Sequence, residues 1–333
     1  MSPDRALRPL RILTWHVHGS YLLYLSRIPH EIVVPAKPGR PHRYGGLTDN
    51  FTWPANLREV PADEVRDLEL DAILFQTRAN WDVDQFEILS EAQRRLPRLY
   101  LEHDPPREHP TDTRHWVDDP EVLLVHVTHF NDLMWDSGRT PTRVVEHGVV
   151  VTDEIEWTGD LPRAVTVIND LATRGRRLGR DVFERVRAAV PVDLIGIDGP
   201  VLGGREPLPL ADMPPFLARY RCFFNPIRYT SLGLAVLEAM AVGLPIVGLA
   251  TTEMARAVEN GVNGWIDTDV KAVERHLRRL LTDRDEAAEL SRGARRIARE
   301  RFGIERFARD WDAVLREATG RRSDASPIAV GAR

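Results

Sequence analysis

Residues 223–265, FFNPIRYTSLGLAVLEAMAVGLPIVGLATTEMARAVENGVNGW, decide the fold of this chain. Their first residues end an apolar strand and pass through Pro226 into a loop. Ser231 to Val242 is helical in pattern: a Ser start signal, strong helix formers, then Gly243-Leu244-Pro245 as the stop. Leu244 to Leu249 is a short apolar run that suits a strand buried on both faces, as in a parallel sheet. The unit reads strand, loop, helix, strand. Between Ser231 and Thr252 the only ionisable side chain is Glu238. It follows Leu234 by four residues and precedes Ala241 by three, which places it on the helix's apolar face. A carboxylate there needs a partner, because burying it alone is costly. It is either a buried Glu held by a neighbouring Arg such as Arg228, or a carboxylate kept for a ligand.

The segment NPIRYTSLGLAVLEAMAVGLPIV resembles the donor-binding segment of the retaining glycosyltransferases of the GT-B fold, family 4 (glycosyl transferases group 1). Those enzymes carry two glutamates eight positions apart around a Gly-Leu, followed by Glu-Ala-Met-Ala, a Gly and a Pro. Gly233-Leu234, Glu238-Ala239-Met240-Ala241, Gly243 and Pro245 match, and Glu259-Asn260-Gly261-Val262-Asn263-Gly264 matches the downstream turn without a gap. The family's first glutamate falls on Thr230, and the small Gly-Gly of the next loop falls on Thr252-Glu253. The resemblance implies an α/β chain of two Rossmann-like domains with parallel sheets facing an interdomain cleft. It implies that Glu238 holds the ribose hydroxyls of a nucleotide sugar, and that the missing first glutamate alters the sugar-side contact.

Size and composition fit that expectation. The 333 residues suffice for two domains of ordinary size, with 43% hydrophobic and 29% charged residues. No apolar run approaches a membrane span and the N-terminus lacks a signal-peptide core, so a cytoplasmic protein with at most peripheral membrane contact is expected. Cys222, the single cysteine, excludes an internal disulfide and a cysteine-based metal site. The net charge of −5 is concentrated in the first 150 residues, which argues against nucleic acid as a partner. Lys37 and Lys271 are the only lysines, so a phosphate-binding cation is expected to be Arg.

Strand and helix patterns alternate along the chain, as a parallel sheet with helices on both faces demands. After a loose leader over residues 1–10, strands are predicted at Arg11–Val17, Glu31–Pro35, Asp71–Gln76, Arg98–Glu102, Val122–Val127 and Arg143–Glu146. Helices are predicted at Ser20–Arg27, Val83–Leu96 and Thr128–Asp136. The Pro/Gly-rich stretch Pro35–Pro61 reads as a long substrate-side loop. The pattern restarts with strands at Ala164–Ile168 and Val192–Ile197 around a helix at Gly179–Ala189. Helices at Val270–Leu281, Glu286–Arg301 and Ile304–Glu317 close the chain. The expected domains are 1–155 on the acceptor side, joined by a returning helix at 304–318, and 156–303 on the donor side. Residues 320–333 read as a disordered tail.

Further candidates follow from position. Gly19, in the loop His16-Val17-His18-Gly19-Ser20, occupies the place of the family's glycine-rich first loop, where backbone N–H groups approach a phosphate or sugar. His103 follows a buried strand and stands where the family often has a histidine facing the donor sugar. His109 and His115 read as solvated loop histidines. In the loop after the second domain's first strand, Arg174, Arg176 and Arg177 are the available cations for a diphosphate, and Arg228 is a fourth. Thr230, Ser231, Leu232, Gly233 and Leu234 would border the donor, the N–H groups of Ser231–Leu234 stabilising the departing diphosphate without a metal. Thr252 and Glu253 border the same site, with Glu253 a candidate to compensate for Thr230. Asp267-Thr268-Asp269 opens a helix and reads as an N-cap, and no metal is expected to be required. The implied partners are a UDP- or GDP-linked sugar donor and a saccharide, lipid-linked or small-molecule acceptor. The implied catalytic residues are His103, Glu238, Arg174 and Arg177. A nucleotide-sugar-binding protein without transfer activity, or an epimerase or phosphorylase on the same fold, is the alternative reading.

Overall fold

Every pairing between strands in the computed structural model is parallel, and its residues 8–320 are the ones described. The first seven residues of the expected leader, and the expected tail beyond Gly320, lie outside them. One sheet comprises β1 (Arg11–Thr14), β2 (Glu31–Ala36), β3 (Leu57–Pro61), β4 (Ala72–Phe75), β5 (Arg98–Glu102), β6 (Val122–His126) and β7 (Thr142–Val144). Its order is β3-β2-β1-β4-β5-β6-β7. The other comprises β8 (Leu161–Val167), β9 (Val192–Ile195), β10 (Tyr220–Asn225), β11 (Ile246–Leu249) and β12 (Gly264–Asp267), in the order β12-β11-β10-β8-β9. Both are doubly wound Rossmann-like sheets, and the expected α/β class with two such units holds. In each the strand order reverses once, between β1 and β4 and between β8 and β10. Connections leaving neighbouring strands diverge there and open a crevice at the strands' C-terminal ends, where ligands bind.

The chain divides into two compact units. The first holds the residues up to Val127, Met134–Val145 and those from Glu305 onward; the second holds Thr128–Leu133 and Glu146–Ile304. The division therefore falls at Val145/Glu146, not near residue 155, and the short helix His129–Met134 begins in the second unit. The final helix, Ile304–Ala318, packs in the first unit. Its Phe307 and Trp311 are fully buried, Trp311 Nε1 donates to Tyr21 Oη at 3.1 Å, and Asp312 meets buried His30 at 2.9 Å.

Three predicted elements differ. The stretch Pro35–Pro61 is not all loop: its last five residues form β3 beside β2, and Glu59 accepts from Leu47 N and Arg40 to fold the turns back onto it. The helix expected over Val83–Leu96 is broken into turns at Asn80–Asp84, Gln85–Ile88 and Gln93–Arg95. Leu89 is extended, and Ser90 and Gln93 cap each other reciprocally (Ser90 N to Gln93 Oε1, 2.9 Å; Gln93 N to Ser90 Oγ, 3.3 Å). The central helix begins at Leu234, with extended Gly233 (φ −68°, ψ 134°) as its N-cap, so Ser231 belongs to the loop.

Candidate functional site

In the second unit the site candidates gather on the loops that leave β8, β10 and β11. The β8 and β10 loops are locked together by backbone. Gly179 has φ +79°, and a Cβ on it would lie 1.9 Å from Pro226 O, so only glycine permits this approach. Across the same junction the N–H groups of Arg228 and Tyr229 both donate to Arg177 O at 3.2 Å. The β11 loop joins through Thr251 Oγ1, which donates to Ile227 O at 2.9 Å. Three non-glycine residues in these and the β9 loop adopt left-handed backbone: Asp170 (φ 57°), Asp198 (φ 62°) and Thr252 (φ 52°). Such conformations cost free energy and persist where surrounding contacts impose them. Thr252, which stands where the resemblance expects a glycine, keeps the backbone a glycine would supply.

The helix Leu234–Ala241 starts at this junction. It buries Val236, Leu237, Ala239, Met240 and Ala241, and leaves Gly233, Leu234, Ala235 and Glu238 half-buried. Glu238 thus lies on the helix's accessible stripe, one turn above its N-terminus, and not on the apolar face the sequence suggested. The apolar side chains surround the helix on its remaining sides, which is why composition alone hid the open stripe. Among the described residues no hydrogen bond engages the N–H groups of Thr230, Ser231, Leu232 or Gly233. Free amides at the start of a helix form an anion site.

The arginines divide by role. Arg228 does not pair with Glu238. Its guanidinium grips Asp181, with Nη2 to Oδ2 at 2.8 Å, and also donates to Arg176 O at 2.9 Å. That bond holds the Asp181 carboxyl below the usual carboxylate range. Arg176 joins the same carboxylate at 2.8 Å. Both are braces of the loop. Arg174 is half-buried and makes no ion pair among the described residues. Arg177 contributes its carbonyl to the junction and its side chain is half-buried.

Glu253 is not available to a ligand. It is 1% exposed, Oε2 accepts from Phe130 N at 2.8 Å, and Oε1 accepts from Arg256 Nε at 3.1 Å with Arg301 3.7 Å away. Its work is to hold the start of the helix His129–Met134, so the expectation that it compensates for Thr230 is corrected.

In the first unit His103 sits at the end of β5, beside the β1/β4 reversal. Gln76, just past β4, donates through Nε2 to Thr14 Oγ1 and to Trp15 O, each at 2.8 Å, and Thr14 Oγ1 donates to Leu74 O at 2.8 Å. A carbonyl can only accept, so Trp15 O fixes which end of the amide carries hydrogens. Gln76 Oε1 then faces His103 Nε2 at 2.9 Å, and that ring nitrogen must carry a proton. His18 and Tyr21 pack edge-on to the imidazole, with centroids 4.6 and 4.8 Å away. Sequence reasoning missed Gln76, although a glutamine ending an apolar strand is a visible signal of a buried polar task.

Two expectations in this unit are corrected. His115 is buried, not solvated: Nδ1 accepts from Val117 N at 3.1 Å and Nε2 faces Glu102 Oε2 at 3.1 Å. Glu102 also accepts from Asp104 N at 2.8 Å; burial pushes its carboxyl up, and these partners pull it back. Gly19 opens no phosphate cradle. It has ordinary φ and is the first residue of a seven-residue helix, and the space a Cβ would take is filled by the Phe51 ring, 2.5 Å away. At the other end of the chain, Asp269 caps its helix by accepting from Lys271 N, as expected.

Comparison with known proteins adds the following. Residues 197–283 match the family described as Glycosyl transferases group 1. Over 90 residues, 26% of this chain, the sequence is 41% identical to the D-inositol 3-phosphate glycosyltransferase of Salinispora tropica, and it covers only 18% of that protein. Sucrose-phosphate synthase from Thermosynechococcus elongatus aligns in structure over 95% of this chain and all of its own, with a TM-score of 0.69 and 14% identity. Anabaena HepE in complex with UDP and glucose aligns over 92% of this chain and all of its own, with a TM-score of 0.63 and 16% identity. These structural likenesses establish a common fold.

Proposed function

We propose that this chain, whose residues 197–283 match the group 1 glycosyl transferases, is a retaining, metal-independent glycosyltransferase of the cytoplasm. The second unit binds the nucleotide-sugar donor and the first the acceptor, a saccharide, lipid-linked or small-molecule hydroxyl compound. The observation that carries the reading is the meeting, at one sheet reversal, of helix-start amides and an Arg174 that have no hydrogen-bond or ion-pair partner among the described residues, with Glu238 on the accessible stripe. Glu238 accepts from the ribose hydroxyls. Arg174, Arg177 and the Ser231–Leu234 amides meet the diphosphate as its charge grows. That UDP is bound by HepE favours a UDP-linked donor, with GDP the other option.

In the transfer step the bond from sugar C1 to the diphosphate oxygen breaks and a bond from C1 to the acceptor oxygen forms on the same face. The acceptor's proton passes to the departing phosphate oxygen, so no protein nucleophile is needed. His103, its Nε2 proton held by Gln76, orients the reacting sugar. Thr230, in place of a glutamate, offers one hydroxyl and no charge, which favours a donor sugar that needs little anchoring there. The same threonine is the one observation in favour of a donor-binding protein that does not transfer.

The test is a thermal-shift series with UDP, GDP, ADP, TDP and CMP on wild type and Glu238→Ala. A ligand at a hundred times its Kd adds about 2.7 kcal/mol. Stabilisation by one nucleotide, lost in the variant, supports the site and names the donor class. No shift with any nucleotide overturns it. Nucleotide binding without turnover on any acceptor selects the non-transferring reading.

A further inference from the structure

The loop after β1 carries a group that the transferase reading leaves unused. His16 stands two residues past β1, beside the β1/β4 reversal, and its Nδ1 meets Gly46 O at 2.6 Å. A carbonyl only accepts, so Nδ1 carries the proton and Nε2 of the neutral ring is an acceptor. Nε2 has no partner among the described residues, and the ring is half-buried, not sealed. Half-buried Trp53 lies edge-on to it, with ring centroids 5.4 Å apart, and half-buried Phe51 lies 5.0 Å from Trp53. Both rings come from the Pro/Gly-rich stretch that the sequence marks as substrate-side. The platform is held in place: Phe51 rests on Gly19, Trp53 Nε1 donates to Thr48 O at 2.8 Å, and Leu47 N donates to Glu59 at 2.6 Å.

The chemistry of these groups selects the ligand. The loop's own cations are spent: Arg40 grips Glu59 with Nη1 at 3.1 Å and Nη2 at 3.2 Å, and Arg43 meets Asp84 at 2.7 Å. Asp49 is exposed and has no partner among the described residues, so the loop disfavours a phosphate or carboxylate. A metal would find one imidazole here, since among the described residues no group of three or more His, Cys, Asp or Glu gathers to hold one. A purely apolar ligand would cover Nε2 and leave it without a donor, which costs free energy. Water would serve Nε2 but not the rings beside it. A ring carrying hydroxyl groups meets both demands: one O–H donates to Nε2 while a C–H face packs on the aromatic rings.

We propose that His16, Phe51 and Trp53 form an acceptor subsite in which His16 Nε2 receives the hydrogen bond of a ring hydroxyl. Naming the ligand an acceptor rests on the transferase reading; the binding itself does not. The experiment is fluorine NMR of the full chain labelled with fluorotryptophan, without nucleotide, with Trp53→Phe identifying the Trp53 signal. The probes are the methyl glycosides of glucose, galactose, mannose and N-acetylglucosamine, and glycerol, which has hydroxyls but no ring. At least one glycoside should shift the Trp53 signal saturably, and glycerol should not. His16→Asn keeps a donor for Gly46 O and removes the acceptor at Nε2. It should weaken that glycoside about three- to tenfold, the loss of one hydrogen bond. The proposal falls if no glycoside moves the Trp53 signal, if glycerol moves it equally, or if His16→Asn binds the glycoside as wild type does. A histidine that only holds the loop, or a patch that binds through apolar packing alone, gives that last result. Circular dichroism of the variant confirms folding. The nucleotide series above fails or succeeds separately, so loss of the transferase reading and loss of this subsite are told apart.

Discussion

Thr252 carries a β-branched side chain at φ 52°, a backbone region that costs an L residue about 1–2 kcal/mol. Thr252→Gly relieves that strain and adds some unfolded-chain entropy, so a net stabilisation of about 0.5–1 kcal/mol is expected from denaturant midpoints. A lower midpoint would show that the hydroxyl or methyl group repays the strain. Among the described residues Arg174, unlike Arg176 and Arg228, has no carboxylate partner. Arg174→Ala should weaken nucleoside diphosphate binding about ten- to a hundredfold, the range of a charge-assisted hydrogen bond, with less effect on a monophosphate. Equal losses for both nucleotides would place the guanidinium elsewhere. Glu253→Ala leaves Phe130 N and Arg256 without their buried acceptor and should destabilise by about 3 kcal/mol. That loss, read by chemical unfolding, distinguishes a structural carboxylate from a ligand contact.

Among the elements, the Gly179–Pro226 junction is the least tolerant. Gly179→Ala forces apart the loops after β8 and β10, so a large fall in Tm together with weakened nucleotide binding is expected. Strands buried on both faces were legible in the sequence because their apolar runs are continuous: VLLV in β6 and IVGL in β11 are examples. The strand β3, LREVP, was not legible, because an edge strand is half solvated and its charges and proline imitate a loop. Within 83–96 the chain carried its own stop signal, Ser90-Glu91-Ala92-Gln93, a capping box set inside a helical-looking run. At the site, motif positions such as Glu238 and Gly233 were readable. Which arginine is spent on Asp181 and which glutamate on Phe130 N was not, since both depend on residues distant in sequence.

For the whole molecule, the C-terminal helix is fastened to the first unit partly through His30, whose Nδ1 accepts from Leu10 N at 3.2 Å and whose Nε2 faces Asp312. Protonating Nδ1 breaks the first bond, and burial lowers the pKa of His30 below its ordinary value despite the pull of Asp312. The unfolded chain therefore binds this proton more readily than the folded one. Stability is full above the unfolded-state pKa of about 6.5 and declines as pH falls from there toward the lowered folded value. His30→Gln should flatten that part of the stability–pH curve; an unchanged slope would assign it to other groups.

That helix also sets an order of events in the cell. The first unit is begun by β1 but finished only by residues after Glu305, some 160 positions after its other segments end at Val145. On the ribosome, the surface awaiting Phe307 and Trp311 stays uncovered while the entire second unit is synthesised. A nascent chain halted near residue 303 should hold a folded second unit and an unfinished first one, and should be the form that chaperones retain.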